Sequence, residues 1–285
     1  MTVLEVIQRS SEFLANKGVE SPRLQIELLL AHLLGLPRMQ LYLNFERVLT
    51  SAELKGLRAL VKRRGQREPL QHIVGTASFC GLELAVNRQA LIPRPETELL
   101  AERAWQFLSA ANSEPPTALD FGTGSGCLAI ALAVKCSIAQ LFAIDISNEA
   151  LELARQNAIR HDLGSRIQFF AGDGFAALPN NGRFNLIVAN PPYIPSPTIN
   201  TLAPEVRDHD PQLALNGGLD GLDFYRRLAV EAPAFVKPDG RIMLELGDGQ
   251  ADAVSEVFAQ QKWVVEAVEE DYNRQPRVFV ARPTG

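Results

Sequence analysis

An Asn-Pro-Pro-Tyr tetrapeptide at residues 190–193 carries groups that could bind a planar polar ligand. It directly follows the apolar run of residues 184–189, which predicts a buried strand ending at the asparagine. Neither proline can donate a backbone hydrogen bond, and Pro191 keeps Asn190 out of the helical region. The Asn190 amide oxygen and the carbonyls of Asn190 and Pro191 are therefore held as acceptors, beside the flat face of Tyr193. Such a site suits an amide or a nucleobase amine; a strand that ends in a Pro-rich turn is the alternative.

A glycine-rich turn upstream predicts a second binding feature. Residues 118–121 read as a buried strand and residues 128–133 as the start of a helix, and the turn between them contains Gly122, Thr123, Gly124, Ser125 and Gly126. Glycines at this spacing let the backbone approach a ligand closely. No lysine that could bind phosphate follows them, so a P-loop is excluded. A close strand–helix turn without a ligand is the alternative.

Asp145 lies about twenty residues beyond the glycine turn, at the end of the next predicted strand. A carboxylate in this place can accept hydrogen bonds from both hydroxyls of a ribose, as in doubly wound folds. Its alternative role is the N-cap of the following helix, for which Ser147 competes. The turn and the acid together indicate a cofactor that contains a nucleoside.

The elements that must position these residues are predicted to form a parallel sheet. Strands and helices alternate from residue 117 onward, with strands near residues 117–122, 140–146, 167–172, 184–189, 240–246, 263–270 and 276–282. This alternation predicts an α/β fold with helices on both faces of the sheet. Ligands bind at the carboxyl ends of such strands, where Asp145, Asp173 and Asn190 lie with the glycine turn. The polar insertion of residues 194–221 is expected to be a lid or a binding loop.

The N-terminal region predicts a separate module. Residues 1–74 read as a helical bundle, and residues 75–91 as a β-hairpin that links it to the domain of residues 92–285. The first 75 residues carry eleven Lys and Arg against seven Asp and Glu, although the whole chain has a net charge of −5. This asymmetry favours an acidic or nucleic-acid partner, unless the basic run is only a solvated helix end. We expect the bundle to dock the substrate; a structural lid is the alternative.

The composition of the chain restricts the classes of protein to which it can belong. The chain has 285 residues, of which 46% are hydrophobic and 21% charged, which is enough for full cores in two domains. No apolar run reaches the roughly 18 residues that a membrane span needs, and the N-terminus lacks the pattern of a secretory signal. Three cysteines without metal-ligand spacing indicate thiols in a reducing compartment. We therefore expect a cytoplasmic protein with no metal and no membrane partner.

The combined motifs resemble class I S-adenosylmethionine-dependent methyltransferases, and specifically the protein-glutamine methyltransferases that modify peptide chain release factors. The resemblance covers nearly the whole chain, with motifs that begin at Ser21, Glu68, Ile92, Gly122, Asp145, Asn190 and Asp210. The Pro-Arg-Pro-Glu-Thr-Glu stretch of residues 93–98 is much more specific to this branch than Asn-Pro-Pro-Tyr, which nucleic-acid methyltransferases share. The chain departs from the family pattern at Gly174, where relatives often carry a bulky residue.

The resemblance implies a Rossmann-like seven-stranded methyltransferase sheet with a small N-terminal helical bundle and a linking β-hairpin. It implies methyl transfer from S-adenosylmethionine, with S-adenosylhomocysteine as product, to the glutamine of the Gly-Gly-Gln loop of release factors, in support of translation termination. Substrate would be bound by Asn190, Pro191, Pro192 and Tyr193, of which Asn190, Pro191 and Tyr193 would be catalytic. The cofactor would be bound by Gly122, Thr123, Gly124, Ser125, Gly126, Asp145, Asp173, Gly174, Phe175 and Asn190.

A nucleic-acid methyltransferase that uses the same tetrapeptide is the competing class. Only about 90 residues follow Tyr193, and the remaining strands use most of them. No room is left for the target-recognition domain of a DNA enzyme. An rRNA enzyme stays open because of the basic N-terminal module. If the chain is a protein-glutamine methyltransferase, its partner is a release factor, and direct binding of nucleic acid is not required.

Overall fold

The computed structural model describes residues 1–110, 115–179 and 182–284. The chain folds as two compact units. The first, called the helical unit, comprises Met1–Thr76 and the short segment Ala203–His209. The second, called the sheet unit, comprises Ala77–Leu202 and Asp210–Gly285. The insertion that follows the Asn-Pro-Pro-Tyr motif is therefore divided, because its middle segment belongs to the helical unit.

The helical unit is a small bundle around an apolar central helix. Its helices are α1 (Val3–Ala15), α2 (Pro22–Leu34), α3 (Arg38–Tyr42), α4 (Ser51–Gly65) and α5 (Leu70–Val74), with the single turn Pro204–Arg207, which is α9 in chain order. Capping boxes begin α1 and α4, in which Thr2 pairs with Glu5 and Thr50 with Glu53. The largely apolar α2 packs against the other four helices of residues 1–76 and so forms the centre of the core.

The sheet unit begins with a hairpin and continues as a seven-stranded sheet with helices. The hairpin strands are β1 (Thr76–Phe79) and β2 (Leu82–Ala85). The sheet strands are β3 (Thr117–Phe121), β4 (Gln140–Asp145), β5 (Ile167–Ala171), β6 (Phe184–Ala189), β7 (Val236–Glu245), β8 (Trp263–Glu270) and β9 (Pro276–Pro283). The helices are α6 (Thr97–Ser109), α7 (Cys127–Lys135), α8 (Asn148–Arg160), α10 (Gln212–Leu215), α11 (Asp223–Glu231) and α12 (Ala251–Gln260), with 3₁₀ turns at Gly174–Ala177, Ser196–Thr201 and Ala232–Ala234.

The strand order is β5-β4-β3-β6-β7-β9-β8; β3 to β7 run parallel and β9 is antiparallel to both its neighbours. The predicted α/β fold with a mostly parallel sheet is confirmed. β7 begins at Val236, earlier than the predicted start at residue 240. Its pairing with β6 is irregular between Val236 and Arg241. Pro238 lies in that irregular stretch and cannot donate to the ladder, which hides this part of the strand in the sequence.

Helices cover both faces of the sheet and form two apolar cores. Neighbouring β3 residues point to opposite faces, so that Ala118 joins the core beneath α6 and α7 and Leu119 joins the core beneath α11 and α12. Because the parallel strands run in one direction, β3 to β7 all end at one edge of the sheet, called the carboxyl edge. None of the helices among the described residues combines the length and the apolar composition that crossing a membrane requires.

Candidate active site

A cavity opens at the carboxyl edge of the sheet. The predicted site residues that line it are Gly122, Thr123, Gly124, Ser125, Asp145, Asp173, Gly174, Asn190, Pro191 and Pro192. Three others, Gly126, Phe175 and Tyr193, are absent from the lining within the described part of the chain. The fold thus brings the glycine turn, the acid and the amide to one cavity, and it places three of the predicted residues behind the cavity wall.

The buried Asp120 of β3 organises the glycine turn from behind. Its Oδ2 accepts hydrogen bonds from the Thr123 hydroxyl at 2.6 Å and from the Ala129 backbone N–H at 3.0 Å. Burial raises the pKa of this carboxyl to about 7, although both hydrogen bonds act to lower it. Gly126 has a φ of +84°, and a Cβ there would lie 3.0 Å from the Ala154 Cβ. Glycine at this position therefore lets α7 approach α8 and shapes the turn without facing the cavity.

Asp145 binds the turn and also faces the cavity. Its Oδ2 accepts from the Gly124 backbone N–H at 2.8 Å, and its Oδ1 accepts from the Ser147 N–H at 2.9 Å. A carboxylate has about four acceptor positions, so each oxygen keeps one for a ligand hydroxyl. The N-cap of α8 is Ser147, whose hydroxyl accepts from the Ala150 N–H at 3.1 Å. The capping role that competed for Asp145 therefore belongs to Ser147.

Arg227 of α11 occupies the space beside Gly174. Its guanidinium forms ion pairs with Asp173 and, at 3.0 Å, with Glu231. Gly174 has a φ of +62°, and a Cβ there would collide with the Arg227 guanidinium. The cavity wall at Gly174 is therefore filled by an arginine from another element. The local sequence around Gly174 gives no signal of that arginine.

Phe175 and Tyr193 support the walls and do not line the cavity. Phe175 is buried in the core, where its ring stacks on that of Phe235 with centroids 4.4 Å apart. Tyr193 turns its hydroxyl to Glu245, donating to Oε1 at 3.3 Å. Both rings therefore contact the core beneath α11 and α12 and are not part of the cavity lining among the described residues. Large aromatic rings gain most from burial, and a buried tyrosine hydroxyl then needs a partner such as Glu245.

Two buried polar side chains outside the predicted site residues hold the Asn190 amide. Asn190 Nδ2 donates to the Thr97 hydroxyl at 3.1 Å, and that hydroxyl donates to Glu245 Oε2 at 2.5 Å. Thr97 begins α6, inside the Pro-Arg-Pro-Glu-Thr-Glu stretch, and Glu245 ends β7. One signal could have indicated Glu245, namely a carboxylate directly after the apolar residues 242–244 at the predicted carboxyl end of a strand.

Glu245 is a carboxyl group in an unusual environment. It is 1% exposed. Desolvation raises its pKa to about 7, although the Thr97 hydrogen bond and the charge of Arg277 act to lower it. Carboxyl groups with such raised pKa values beside a cavity are common at functional sites. Among the residues that the structure describes, no group of three or more His, Cys, Asp or Glu side chains could hold a metal ion.

The part of the insertion that belongs to the sheet unit contributes to the cavity. Pro211 and Leu213 lie in its wall, together with Arg94 from the loop before α6. Asp210 is 6% exposed and pairs with the Arg94 guanidinium at 2.5 Å. This ion pair fixes the insertion to the Pro-Arg-Pro-Glu-Thr-Glu stretch and keeps the apolar side chains of both segments beside the Asn-Pro-Pro-Tyr motif.

Comparison with known proteins decides the family. A family model described as the PrmC N-terminal domain matches residues 5–75, and one described as the methyltransferase small domain matches residues 100–205. A release factor glutamine methyltransferase of Geobacter sulfurreducens is 46% identical over 259 residues, covering 91% of this chain and 89% of that protein. The chain belongs to the release factor glutamine methyltransferase family. Another member of this family, from Chlorobaculum tepidum, is 42% identical and covers 97% of this chain and 95% of its own length.

Solved structures share the fold of the sheet unit. A methyltransferase from Pyrococcus furiosus gives a TM-score of 0.53 at 20% identity, covering 73% of this chain and 91% of that one. A 16S rRNA N2 G1207 methyltransferase of T. thermophilus, solved with AdoMet and guanosine, gives 0.51 at 18% identity, covering 73% and 49%. Together with the family match, these structures confirm the predicted methyltransferase fold with an N-terminal helical domain.

Proposed function

We propose that this chain transfers a methyl group from S-adenosylmethionine to the glutamine side-chain nitrogen in the Gly-Gly-Gln loop of release factors, in the cytoplasm, and so supports translation termination. One observation carries the proposal: Asn190 and Pro191 line the same cavity as the glycine turn and Asp145. A place for a nucleoside-bearing donor and a place for a planar amide are therefore parts of one site. The names of the family's curated members support the same substrate.

The cofactor side of the cavity fits S-adenosylmethionine. A Cβ on Gly122 would meet no protein atom within 4 Å, so the turn leaves open space at the wall. Asp145 offers carboxylate lone pairs to the ribose hydroxyls, and the Gly124 N–H holds that carboxylate in place. When bound, S-adenosylmethionine supplies an electrophilic methyl group on a positively charged sulfur. We assign Arg227 to the adenine side, because it fills the wall beside Gly174.

The amide side of the cavity fits a glutamine. An amide nitrogen is a poor nucleophile, because its lone pair is delocalised into the carbonyl group. Asn190 Oδ1 and the Pro191 carbonyl each accept one N–H of the substrate and thereby aim its nitrogen. Accepting these hydrogen bonds also stabilises the positive charge that grows on the nitrogen in the transition state. Alignment of this kind can contribute about 7–11 kcal/mol in favourable cases, and the proton leaves to water after the transfer.

The rRNA alternative depends on the basic charge of the helical unit, and much of that charge is already balanced. Arg63 pairs with Glu68 at 2.7 Å, and the helix of the inserted segment brings Glu205 to 2.8 Å from Arg64 and 2.6 Å from Arg67. Arginines neutralised by carboxylates contribute little to the phosphate contacts on which nucleic-acid affinity depends. We therefore propose that the helical unit docks a protein substrate.

Methyl transfer to an intact release factor tests the proposal. We expect labelled S-adenosylmethionine to add one methyl group, which mass spectrometry should locate on the glutamine of the Gly-Gly-Gln loop. A release factor in which that glutamine is replaced by alanine is the matched control and should take up no label. Efficient labelling of naked rRNA with the release factor untouched would overturn the proposal and support the nucleic-acid alternative.

A further inference from the structure

We propose that Thr97 and Glu245 are positioning residues that turn the amide oxygen of Asn190 toward the substrate glutamine. The inference rests on the proposed function, because that oxygen matters only when an N–H group comes to meet it. Neither residue contacts the reacting atoms, and both act through Asn190. The inference assigns a role to the two buried polar side chains that the Asn-Pro-Pro-Tyr motif itself does not contain.

While Glu245 is ionised, the donors and acceptors along this chain of hydrogen bonds allow one orientation of the Asn190 amide. A carboxylate can only accept, and Glu245 Oε2 lies 2.5 Å from the Thr97 hydroxyl, so the hydroxyl hydrogen points to Glu245. Thr97 Oγ1 has then given away its only hydrogen and can only accept from Asn190. The Asn190 atom 3.1 Å away is therefore the donor Nδ2. Because the amide is planar, Oδ1 lies on its other side and stays available to a ligand.

Glu245 fixes both ends of the Asn-Pro-Pro-Tyr motif. Its Oε1 accepts from the Tyr193 hydroxyl at 3.3 Å, while its Oε2 holds Asn190 through Thr97. Its backbone carbonyl accepts from the Tyr225 hydroxyl at 2.8 Å, which anchors the end of β7. Thr97 and Glu245 are 2% and 1% exposed, so water does not compete for these hydrogen bonds. Buried and fully satisfied networks of this kind hold their members in one geometry.

Protonation of Glu245 would reverse the chain. A protonated Oε2 donates to Thr97, the Thr97 hydroxyl then donates to Asn190, and the amide turns its Nδ2 toward the cavity. A donor would then face the substrate N–H, and the acceptor would be lost. Burial raises the pKa of Glu245 to about 7, which brings this reversal within reach of experiment. The other titratable or charged groups that act on this carboxyl are Glu96, Tyr193, Tyr225 and Arg277.

Substitution of Thr97 tests the orientation by kinetics. Thr97→Val keeps the shape and removes the hydroxyl, and we expect kcat on release factor to fall about tenfold or more, with the Kd for S-adenosylmethionine within about twofold. Thr97→Ser restores the hydroxyl and should stay within about threefold of the wild-type kcat. The matched control is Thr117→Val, the same change at the first residue of β3, at the end of that strand opposite the carboxyl edge, and it should alter neither quantity. A Thr97→Val protein with the wild-type kcat would overturn the inference.

A spectroscopic measurement tests the same orientation without activity. In protein labelled with ¹⁵N-asparagine, the Asn190 side-chain amide signals should move with pH around a midpoint of about 7, which is the pKa of Glu245. Glu245→Gln cannot ionise and should abolish that midpoint, whereas the exposed control Glu256→Gln should retain it. The wild-type kcat at saturating cofactor should decrease as the pH is lowered through the same midpoint. The kcat of Glu245→Gln should lose this dependence on pH.

The outcomes separate this inference from the proposed function. Asn190 signals that are independent of pH in the wild type, or that keep their midpoint in Glu245→Gln, would overturn the role of Glu245. A wild-type protein that methylates no release factor would overturn the proposed function instead. The amide signals would still decide which side of Asn190 faces the cavity in that case.

Discussion

Two buried glutamates, one in each unit, show how the surroundings decide what a side chain does. Glu27 in α2 and Glu245 at the end of β7 are each 1% exposed. Glu27 accepts hydrogen bonds from Arg38 at 2.8 Å, from Arg23 at 3.0 Å and from the Tyr42 hydroxyl at 2.9 Å. Glu245 accepts from two hydroxyl groups and, among the described residues, forms no ion pair.

The partners set the charge of each carboxyl group. Burial raises the pKa of Glu27, but hydrogen bonds from Arg38, Arg23 and Tyr42 outweigh it and leave the pKa below the ordinary 4.5. Burial raises the pKa of Glu245 to about 7, because its cost exceeds what the Thr97 and Tyr193 hydroxyls and the charge of Arg277 offset. Glu27 therefore stays charged and ties α2 to α3, which is a structural role. Glu245 is poised between two charge states and directs a chain of hydrogen bonds at the cavity.

Removal of the acceptor at the end of that chain should have the largest effect. We expect Asn190→Ala to lower turnover on release factor by about 10²-fold or more, the size seen when a group that stabilises the transition state is lost. Cofactor affinity should change little. Asn190→Asp keeps an acceptor and adds a negative charge. Its turnover, compared with that of Asn190→Ala, separates the effect of losing the acceptor from the effect of adding charge. Single-turnover kinetics would contradict the mechanism if Asn190→Ala reacted at the wild-type rate.

Neutralisation of the two glutamates should affect stability in opposite directions. Glu27→Gln leaves two arginines without their carboxylate and should lower the free energy of unfolding at pH 8 by about 2 kcal/mol. Glu245→Gln removes a charge that burial disfavours and should raise the free energy of unfolding at pH 8 by up to about 3 kcal/mol. The two variants are matched controls for each other in urea unfolding. Equal losses of unfolding free energy in the two variants would show that the different surroundings of Glu27 and Glu245 have no energetic consequence.

The pH dependence of this difference has a definite sign. The pKa of Glu245 rises from 4.5 in the unfolded chain to about 7 in the fold, so folding takes up a proton between these values. Its contribution to stability is fully present below pH 4.5 and is lost as the pH rises through about 7. The advantage of Glu245→Gln over the wild type should therefore be present at pH 8 and disappear toward pH 4.5.

The sequence predicted those parts of the fold and site that depend on local pattern. Apolar runs bounded by turns indicated the seven strands, and a parallel sheet then requires that Asp145 and Asn190 share an edge. The hydrogen bond between Thr97 and Glu245 joins residues 148 positions apart. It depends on how α6 packs against β7, which no local pattern encodes. Arg227 was missed beside Gly174 for the same reason.

The direction in which a side chain points was harder to predict than its position in the sheet. Tyr193 directly follows the acceptors, and the tetrapeptide alone suggested a ring that packs against the substrate. In the structure the hydroxyl of this half-buried side chain donates to Glu245, whose carboxylate lies within reach. Phe175 follows Gly174 at the cavity wall, yet its ring gains more by stacking on Phe235 in the core.

Asp145 should show a smaller effect than Asn190, and on binding rather than on turnover. We expect Asp145→Ala to weaken S-adenosylmethionine binding about tenfold or more, because it removes charge-assisted contacts to the ribose and to the Gly124 N–H. Calorimetry measures the change. Asp239→Ala, an exposed aspartate in β7, is the matched control and should bind the cofactor as the wild type does. Unchanged affinity in Asp145→Ala would remove the cofactor assignment.

The smallest effect should come from the helical unit, for which we propose docking of the substrate and no chemistry. Leu43 and Met39 lie one helical turn apart and are 85% and 71% exposed, so both apolar side chains are accessible to a partner. We expect Leu43→Asp to raise KM for intact release factor about threefold or more, because it places a charge in an apolar contact. Activity on a short Gly-Gly-Gln peptide should not change, since a peptide reaches only the cavity.

Ile159→Asp on α8 of the sheet unit makes the same kind of change at a 67% exposed position and is the matched control. Equal losses on the peptide and on the intact release factor would show that the substitution perturbs the sheet unit, and would contradict a docking role for the helical unit.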